Sequence, residues 1–131
     1  MKNNNGLVQV HQYMFSYRGE HSFLDYYGVE PGTFSGVAHA DEMFYLFDPL
    51  YRVDLGDMPE GDKNVRDMFV SFWTNFAKFG DPTPPGSAVS WAPVDAGSRM
   101  YLNISGTEPI MQRSDNYEAR MQFWTSVVHI N

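Results

Sequence analysis

The clearest pattern along the chain is a helical repeat of apolar residues between positions 62 and 79. Apolar side chains recur there at spacings of three and four, which is the period of one face of an α-helix. Asp62 is predicted to cap the start of this helix, and Lys78 and Gly80 are typical of its end. The repeating residues, whose simplest use is packing in a core, are Val65, Met68, Phe69, Phe72, Trp73, Phe76 and Phe79.

Residues 8–16 have the alternation of a β-strand. Val8, Val10 and Met14 would point to one face, and His11 together with aromatic side chains would point to the other. Apolar groups on both faces predict a strand that is covered on both sides, as in the sheet of an α/β protein. The fold class predicted from the pattern is therefore α/β.

The remaining segments are shorter and less periodic. Loops are predicted at 18–40, 48–62 and 81–90, a short helix with acids in its first turn at 41–47, strands at 99–103 and 109–112, and a last helix from 114 onwards. The first of these loops is long for a compact domain, and loops of that length usually carry function. Candidate chemistry is therefore sought at its end.

Composition and charge narrow the classes of function. The chain has 131 residues, enough for one domain, and its 43% hydrophobic and 16% aromatic content excludes disorder. A net charge of −7 without any basic run argues against nucleic acid and anionic membrane surfaces as partners. There is no cysteine for a disulfide or thiolate site, and no apolar stretch approaches the roughly 18 residues of a membrane span.

His39 stands apart from the other three histidines. His11 lies within the predicted strand and suits packing, His21 lies in a polar loop, and His129 is beside the C-terminus. His39 instead follows a run of small residues at the end of the long loop and precedes two carboxylates at positions 41–42. A general base, a metal ligand and a helix cap all fit that position, although the spacing is not one known for zinc, and no metal site is predicted.

A histidine base needs a nucleophile, and the chain has no recognisable one. Hydrolases with a Ser–acid–His triad place serine in a G-x-S-x-G turn, and the histidine comes last along the chain. None of the eleven glycines belongs to such a turn, and Ser35, between Gly32 and Gly36, has the wrong spacing. A C-terminal piece of such a hydrolase would hold the histidine alone.

Residues 36–47, GVAHADEMFYLF, resemble the segment around the catalytic histidine of the type-B carboxylesterase and cholinesterase family, and His39 matches that histidine. The greatest likeness is to insect carboxylesterases, among which juvenile hormone esterases are one branch. Ala40 stands where glycine is usual, and residues 1–7 match nothing. Further stretches that match in the family's order are 11–17, 72–82, 91–93 and 101–104.

The resemblance implies that residues 1–131 are the C-terminal part of an α/β-hydrolase fold. This part would contribute the last core strand, the histidine loop and the packing helices. His39 would be the general base, and Glu42 would support it in a buried polar network or stabilise a helix terminus. Phe44 and Phe47 could line an acyl or alcohol pocket, although core packing is the favoured explanation for both.

The same resemblance implies what lies outside the chain. The serine nucleophile, the triad acid and the oxyanion loop would lie upstream. No cofactor is implied, and the partners would be a small-molecule ester and the N-terminal remainder of the same polypeptide. The start of the chain is not a signal peptide, and a secreted location follows only if the parent carries one. Asn103 begins a glycosylation sequon that is usable in a secreted chain.

Two alternatives to an ester hydrolase remain open at this stage. One is a cholinesterase-like protein that has lost catalysis and serves adhesion or binding. The other is an independent small binding domain, which is less consistent with a strand that is covered on both faces. The retained His39 favours the enzyme, and the sequence does not identify the ester.

Overall fold

The computed structural model describes residues 8–30, 32–47, 56–95, 97 and 99–128. Within these residues the chain forms a small sheet with helices packed against it. The elements are β1 (Tyr13–Phe15), α1 (Phe23–Tyr26), α2 (Met43–Leu46), α3 (Glu60–Phe79), β2 (Met100–Ile104), β3 (Ile110–Arg113), a 3₁₀ turn (Ser114–Tyr117) and α4 (Glu118–Val127).

The sheet is mixed, with the strand order β1-β2-β3. β1 pairs parallel with β2, where Tyr13 lies opposite Leu102, and β2 pairs antiparallel with β3, where Leu102 lies opposite Met111. A parallel pair needs a long crossover, and the chain between β1 and β2 supplies one that contains α1, α2 and α3. A mixed sheet with a helical crossover agrees with the predicted α/β class.

The first strand is shorter than the pattern predicted. Only Tyr13–Phe15 is strand, and Val8 and Val10 are 88% and 58% exposed. The backbone before β1 is nevertheless held in place, because the Val10 carbonyl accepts from the Val94 amide at 2.7 Å. The prediction that both faces of this segment are covered is therefore wrong for its first residues in the described part of the chain.

Helix α3 packs its apolar face against the sheet along most of its length. Val65, Phe69 and Phe72 are no more than 2% exposed, whereas Phe76 and Phe79, near the C-terminal end, are 46% and 72% exposed. The helix ends as predicted, because Gly80 adopts a left-handed φ of 69°. The buried cluster consists of Phe44, Tyr45, Val65, Phe69, Phe72, Trp91, Leu102 and Ile104.

The prediction that Asp62 caps α3 is wrong. Pro59 occupies the cap position, and Asp62 lies inside the first turn at 2% exposure. Its carboxylate accepts from the Tyr17 hydroxyl at 2.9 Å, the Tyr45 hydroxyl at 3.2 Å and the Glu20 amide at 3.0 Å. A buried carboxylate requires such donors, and the helix N-terminus favours negative charge. Asp62 therefore ties the start of the long loop to α3.

The packing around Asp62 explains two further features. Burial, followed by the negative charge of Asp62, raises the pKa of the Tyr45 hydroxyl. At Gly19 an added Cβ would overlap the Tyr45 hydroxyl oxygen and lie 2.6 Å from Asp62 Oδ2. Glycine is therefore the residue that lets the backbone pass this close to the buried carboxylate.

The segment predicted as a continuous loop contains the single turn of α1. Ser22 caps it, because its hydroxyl accepts from the Leu24 amide at 3.1 Å. One turn is too short to produce a periodic pattern, which is why no helix was predicted there. Among the described residues, no helix combines the length and apolarity that crossing a membrane requires.

Candidate functional site

His39 lies exposed on a tight turn just before α2. The Asp41 amide donates to the Ala38 carbonyl at 3.2 Å and closes this turn. Ala40 has a φ of 70°, in the left-handed region that side chains with a Cβ rarely adopt. This conformation gives a physical reason for the glycine that the resembling family usually has here. Alanine tolerates it at some cost in strain.

Asp41 is buried beneath the turn that carries His39. It is 2% exposed, and its carboxylate accepts from the Ala38 amide, the Ser22 hydroxyl and the Phe23 amide, each at 2.8 Å. The sequence placed this acid in the first turn of a helix, whereas α2 begins only at Met43. The carboxylate therefore bonds to the loop rather than complementing a helix dipole.

Glu42 occupies the cap position of α2 and is half-buried. Its side chain makes no capping hydrogen bond to the helix. Burial and, to a smaller extent, the negative charge of Glu42 raise the pKa of the Tyr13 hydroxyl. The Glu42 carboxylate is thus within electrostatic reach of β1. The predicted support of His39 by Glu42 remains a prediction.

A cavity of about 510 Å³ lies beside His39. The residues that line it with His39 are Phe23, Leu24, Tyr26, Tyr27, Ala38 and Ala40. Phe44 and Phe47 are not among them, since Phe44 is 6% exposed in the core and Phe47 is 51% exposed after α2. Sequence reasoning missed the contribution of α1, for which the adjacent tyrosines at positions 26–27 were the available signal.

The other histidines are placed differently. His11 Nδ1 lies 3.0 Å from the Trp91 carbonyl oxygen, and its ring makes edge-on contacts with Trp91 and Phe76. This is the packing use that the sequence predicted. His21 is half-buried and its backbone amide donates to Asp62 at 3.4 Å. His129 lies outside the described residues.

Two further site predictions concern metal and sugar. The described ranges contain no group of three or more His, Cys, Asp or Glu side chains that could hold a metal ion. Asn103 lies within β2, half-buried, and its side-chain oxygen accepts from the Ser16 hydroxyl at 2.5 Å. A glycan at Asn103 would be attached to the same side-chain amide group that bonds to Ser16. Glycosylation there remains a prediction.

Comparison with known proteins identifies the family. The model of the carboxylesterase family matches residues 1–124. A carboxylic ester hydrolase of Bombus ignitus is 28% identical over 120 residues, which cover 90% of this chain and 21% of the relative. Carboxylesterase 1C of Mus musculus is 32% identical over 123 residues, covering 93% of this chain and 20% of the relative. The juvenile hormone esterase of Tribolium castaneum is 34% identical over 83 residues, which cover 60% of this chain and 14% of the relative.

The chain belongs to the carboxylesterase family. This confirms the resemblance drawn from residues 36–47 and the likeness to insect members. The chain spans about a tenth to a fifth of the length of the curated relatives that it matches.

Proposed function

We propose that this chain is the C-terminal part of a carboxylic ester hydrolase with an α/β-hydrolase fold, and that His39 is its general base. The observation that carries the proposal is the position of His39 in a chain of this family. Its side chain is exposed beside an aromatic cavity, on a turn whose backbone is anchored from beneath by Asp41. A catalytic base needs this combination of access and fixed position.

In the proposed reaction, a serine from the upstream polypeptide is the nucleophile. His39 takes the proton of the serine hydroxyl as the serine oxygen attacks the ester carbonyl, and it then gives that proton to the departing alcohol. His39 next takes a proton from water as the water oxygen attacks the acyl-enzyme, and it returns that proton to the serine oxygen as the acid leaves. Imidazole suits both directions of transfer near neutral pH. Glu42, the half-buried carboxylate that follows Asp41, is proposed to support His39.

Unpartnered surfaces of the described residues support the proposal that further polypeptide packs here. β1 is an edge strand in the described part of the sheet, and an open edge is normally paired or covered. Helix α4 buries none of its side chains, and Met121 and Trp124 on it are 62% and 57% exposed. Such surfaces suit contact with the N-terminal remainder of the polypeptide better than contact with water.

The lining of the cavity indicates the class of substrate. Aromatic side chains from α1 dominate it, and no charged side chain belongs to the described lining. We therefore propose an uncharged ester whose alcohol or acyl group is apolar and packs against Tyr26 and Tyr27. Ring contacts of this kind contribute about 0.5–1.5 kcal/mol beyond simple burial.

Substituting Tyr27 tests this assignment. In the complete polypeptide, Tyr27→Ala should lower kcat/KM for an aromatic ester such as a naphthyl ester about 2- to 10-fold through KM, the equivalent of one lost aromatic contact. The value of kcat/KM should change little for an acetate ester of a small alcohol. Steady-state kinetics with both esters provides the measurement.

Phe79→Ala is the matched control for this substitution. Phe79 is 72% exposed and Tyr27 is 74% exposed, but Phe79 lies at the end of α3 and does not line the cavity. Phe79→Ala should leave kcat/KM unchanged for both esters. Equal losses in the two variants, or equal losses for both esters, would count against a substrate contact at Tyr27.

The 131-residue chain alone should have no serine hydrolase activity, because the proposed nucleophile lies upstream. Incubation with a fluorophosphonate probe should leave every serine unlabelled, and a chromogenic acetate ester should turn over no faster than with free imidazole. Intact-mass spectrometry and absorbance kinetics provide the two readouts. Stoichiometric labelling of one serine would mean that the chain carries its own nucleophile.

A further inference from the structure

We infer that Asp41 is a positioning residue for His39, which fixes the turn that presents the imidazole to the reacting atoms. The inference rests on the proposed role of His39 as general base. Asp41 does not face the cavity and does not belong to its lining. Its effect on the reaction is therefore exerted through the backbone on either side of His39.

The contacts of Asp41 join the two ends of the long loop. One carboxylate oxygen accepts from the Ala38 amide, directly before His39, and from the Ser22 hydroxyl. The other oxygen accepts from the Phe23 amide at the start of α1. Asp41 thus connects the residue that precedes His39 to the helix that lines the cavity. Both the base and the cavity wall depend on one carboxylate.

The turn needs this restraint because it is strained. Ala40, between His39 and Asp41, holds a φ of 70°, and a residue with a Cβ persists in that region only where its surroundings impose it. His39 itself is exposed, so packing of its side chain does little to fix the turn. Backbone hydrogen bonds close the turn, and the three bonds to the Asp41 side chain add the connection from the turn to Ser22 and Phe23.

Asparagine cannot reproduce these bonds. Both oxygens of Asp41 face backbone amides, from Ala38 and from Phe23, and an asparagine would turn its NH₂ group towards one of them. That amide would lose its acceptor and meet another donor. Asp41→Asn therefore keeps the size of the side chain but releases one end of the loop, either beside His39 or at α1.

The test compares Asp41→Asn with Asp62→Asn in the complete polypeptide. The two residues are equally buried at 2% exposure, and each accepts several hydrogen bonds, but the bonds of Asp62 come from Tyr17, Glu20 and Tyr45 rather than from residues 38–41. Rates are divided by the number of active sites, and hydrogen exchange of the Phe23 and Ala38 amides is measured alongside.

Asp41→Asn should lower kcat per active site about 10- to 100-fold, as expected for a base displaced by a fraction of an ångström to one ångström, and should raise KM by a smaller factor, because the same carboxylate holds α1 beside the cavity. Amide exchange should accelerate at Ala38 or Phe23. Asp62→Asn should also lower the melting temperature, because a buried charge that accepts several hydrogen bonds is lost, while kcat per active site stays within about twofold of the parent. Equal losses of kcat in the two variants would overturn the inference, because general loosening would then explain both.

Two milder variants keep the inference testable if an aspartate variant does not fold. Ser22→Ala removes one of the three donors to Asp41 and should lower kcat several-fold, whereas Tyr17→Phe removes one donor to Asp62 and should leave kcat unchanged. Unchanged kcat in a folded Ser22→Ala variant would overturn the positioning role.

His39→Ala in the same assay separates this inference from the proposed function. If His39→Ala is inactive and Asp41→Asn retains the parent's kcat, the positioning role alone is wrong. If His39→Ala retains full activity, the base is another residue and both statements are wrong.

Discussion

Replacing His39 by alanine in the complete polypeptide should reduce ester turnover about 10⁴- to 10⁶-fold, which is the loss typical of a triad member. The reason is that serine would lose the base that takes its proton and the acid that serves the departing alcohol. The fold should persist, because His39 is exposed and its side chain takes no part in the core. Steady-state kinetics and circular dichroism on the same preparation give the two quantities.

His11→Ala is the control for that experiment. His11 is held by a hydrogen bond to the Trp91 carbonyl and by ring contacts with Trp91 and Phe76. His11→Ala should lower the stability of the fold, but each folded molecule should keep most of its rate of ester turnover. Equal losses of rate in the two variants, with both folded, would show that His39 is not the base.

Removing the buried carboxylate of Asp62 should cost about 1–3 kcal/mol of unfolding free energy. Asp62→Ala leaves the buried Tyr45 hydroxyl without its acceptor, which carries most of this cost, whereas the Tyr17 hydroxyl and the Glu20 amide belong to residues that are partly or fully exposed and can bond to water. The midpoint of urea unfolding, followed by tryptophan fluorescence, should fall accordingly.

Asp67→Ala on the same helix is the matched control. The Asp67 side chain is 69% exposed and pairs with its neighbour Arg66 at 2.8 Å, and exposed pairs of this kind contribute less than about 1 kcal/mol. Its unfolding midpoint should stay close to that of the parent. A similar midpoint for the Asp62 and Asp67 variants would mean that the buried network does not stabilise the fold.

The local sequence pattern was enough to predict the helix and strands whose apolar residues recur at regular spacing. The helix expected over 62–79 is α3, which begins two residues earlier, and the two late strands lie within a few residues of β2 and β3. Helix α1 was missed because a single turn has no period. Asp62 was misjudged because an acid before an apolar stripe suits a cap, while the donors that bury it come from residues 17, 20 and 45.

The candidate site could be predicted only in part, because several of its contacts join residues that are distant along the chain. His39 was found through the motif around it, which is local in sequence. Asp41 belongs to the same motif, yet its role depends on Ser22 and Phe23, which lie 19 and 18 residues away along the chain. The cavity lining likewise depends on how α1 folds back onto the histidine turn. Contacts between such distant residues depend on the tertiary structure and produce no regular spacing in the sequence.

A non-catalytic member of the family would share the fold of this chain but would lack a reactive serine upstream. The deciding feature is therefore the nucleophile. A fluorophosphonate reacts rapidly with a serine that a neighbouring base activates and far more slowly with an ordinary serine. Its reaction with the complete polypeptide distinguishes the enzyme from a binding protein.

The most direct measurement is fluorophosphonate labelling of the complete polypeptide, followed by mass spectrometry of its peptides, with the parent and His39→Ala treated side by side. The proposed function predicts a single labelled serine upstream of residue 1, labelled rapidly in the parent and at least about 10³-fold more slowly in His39→Ala. Absence of labelling in the parent, or labelling that proceeds equally fast without His39, would contradict it.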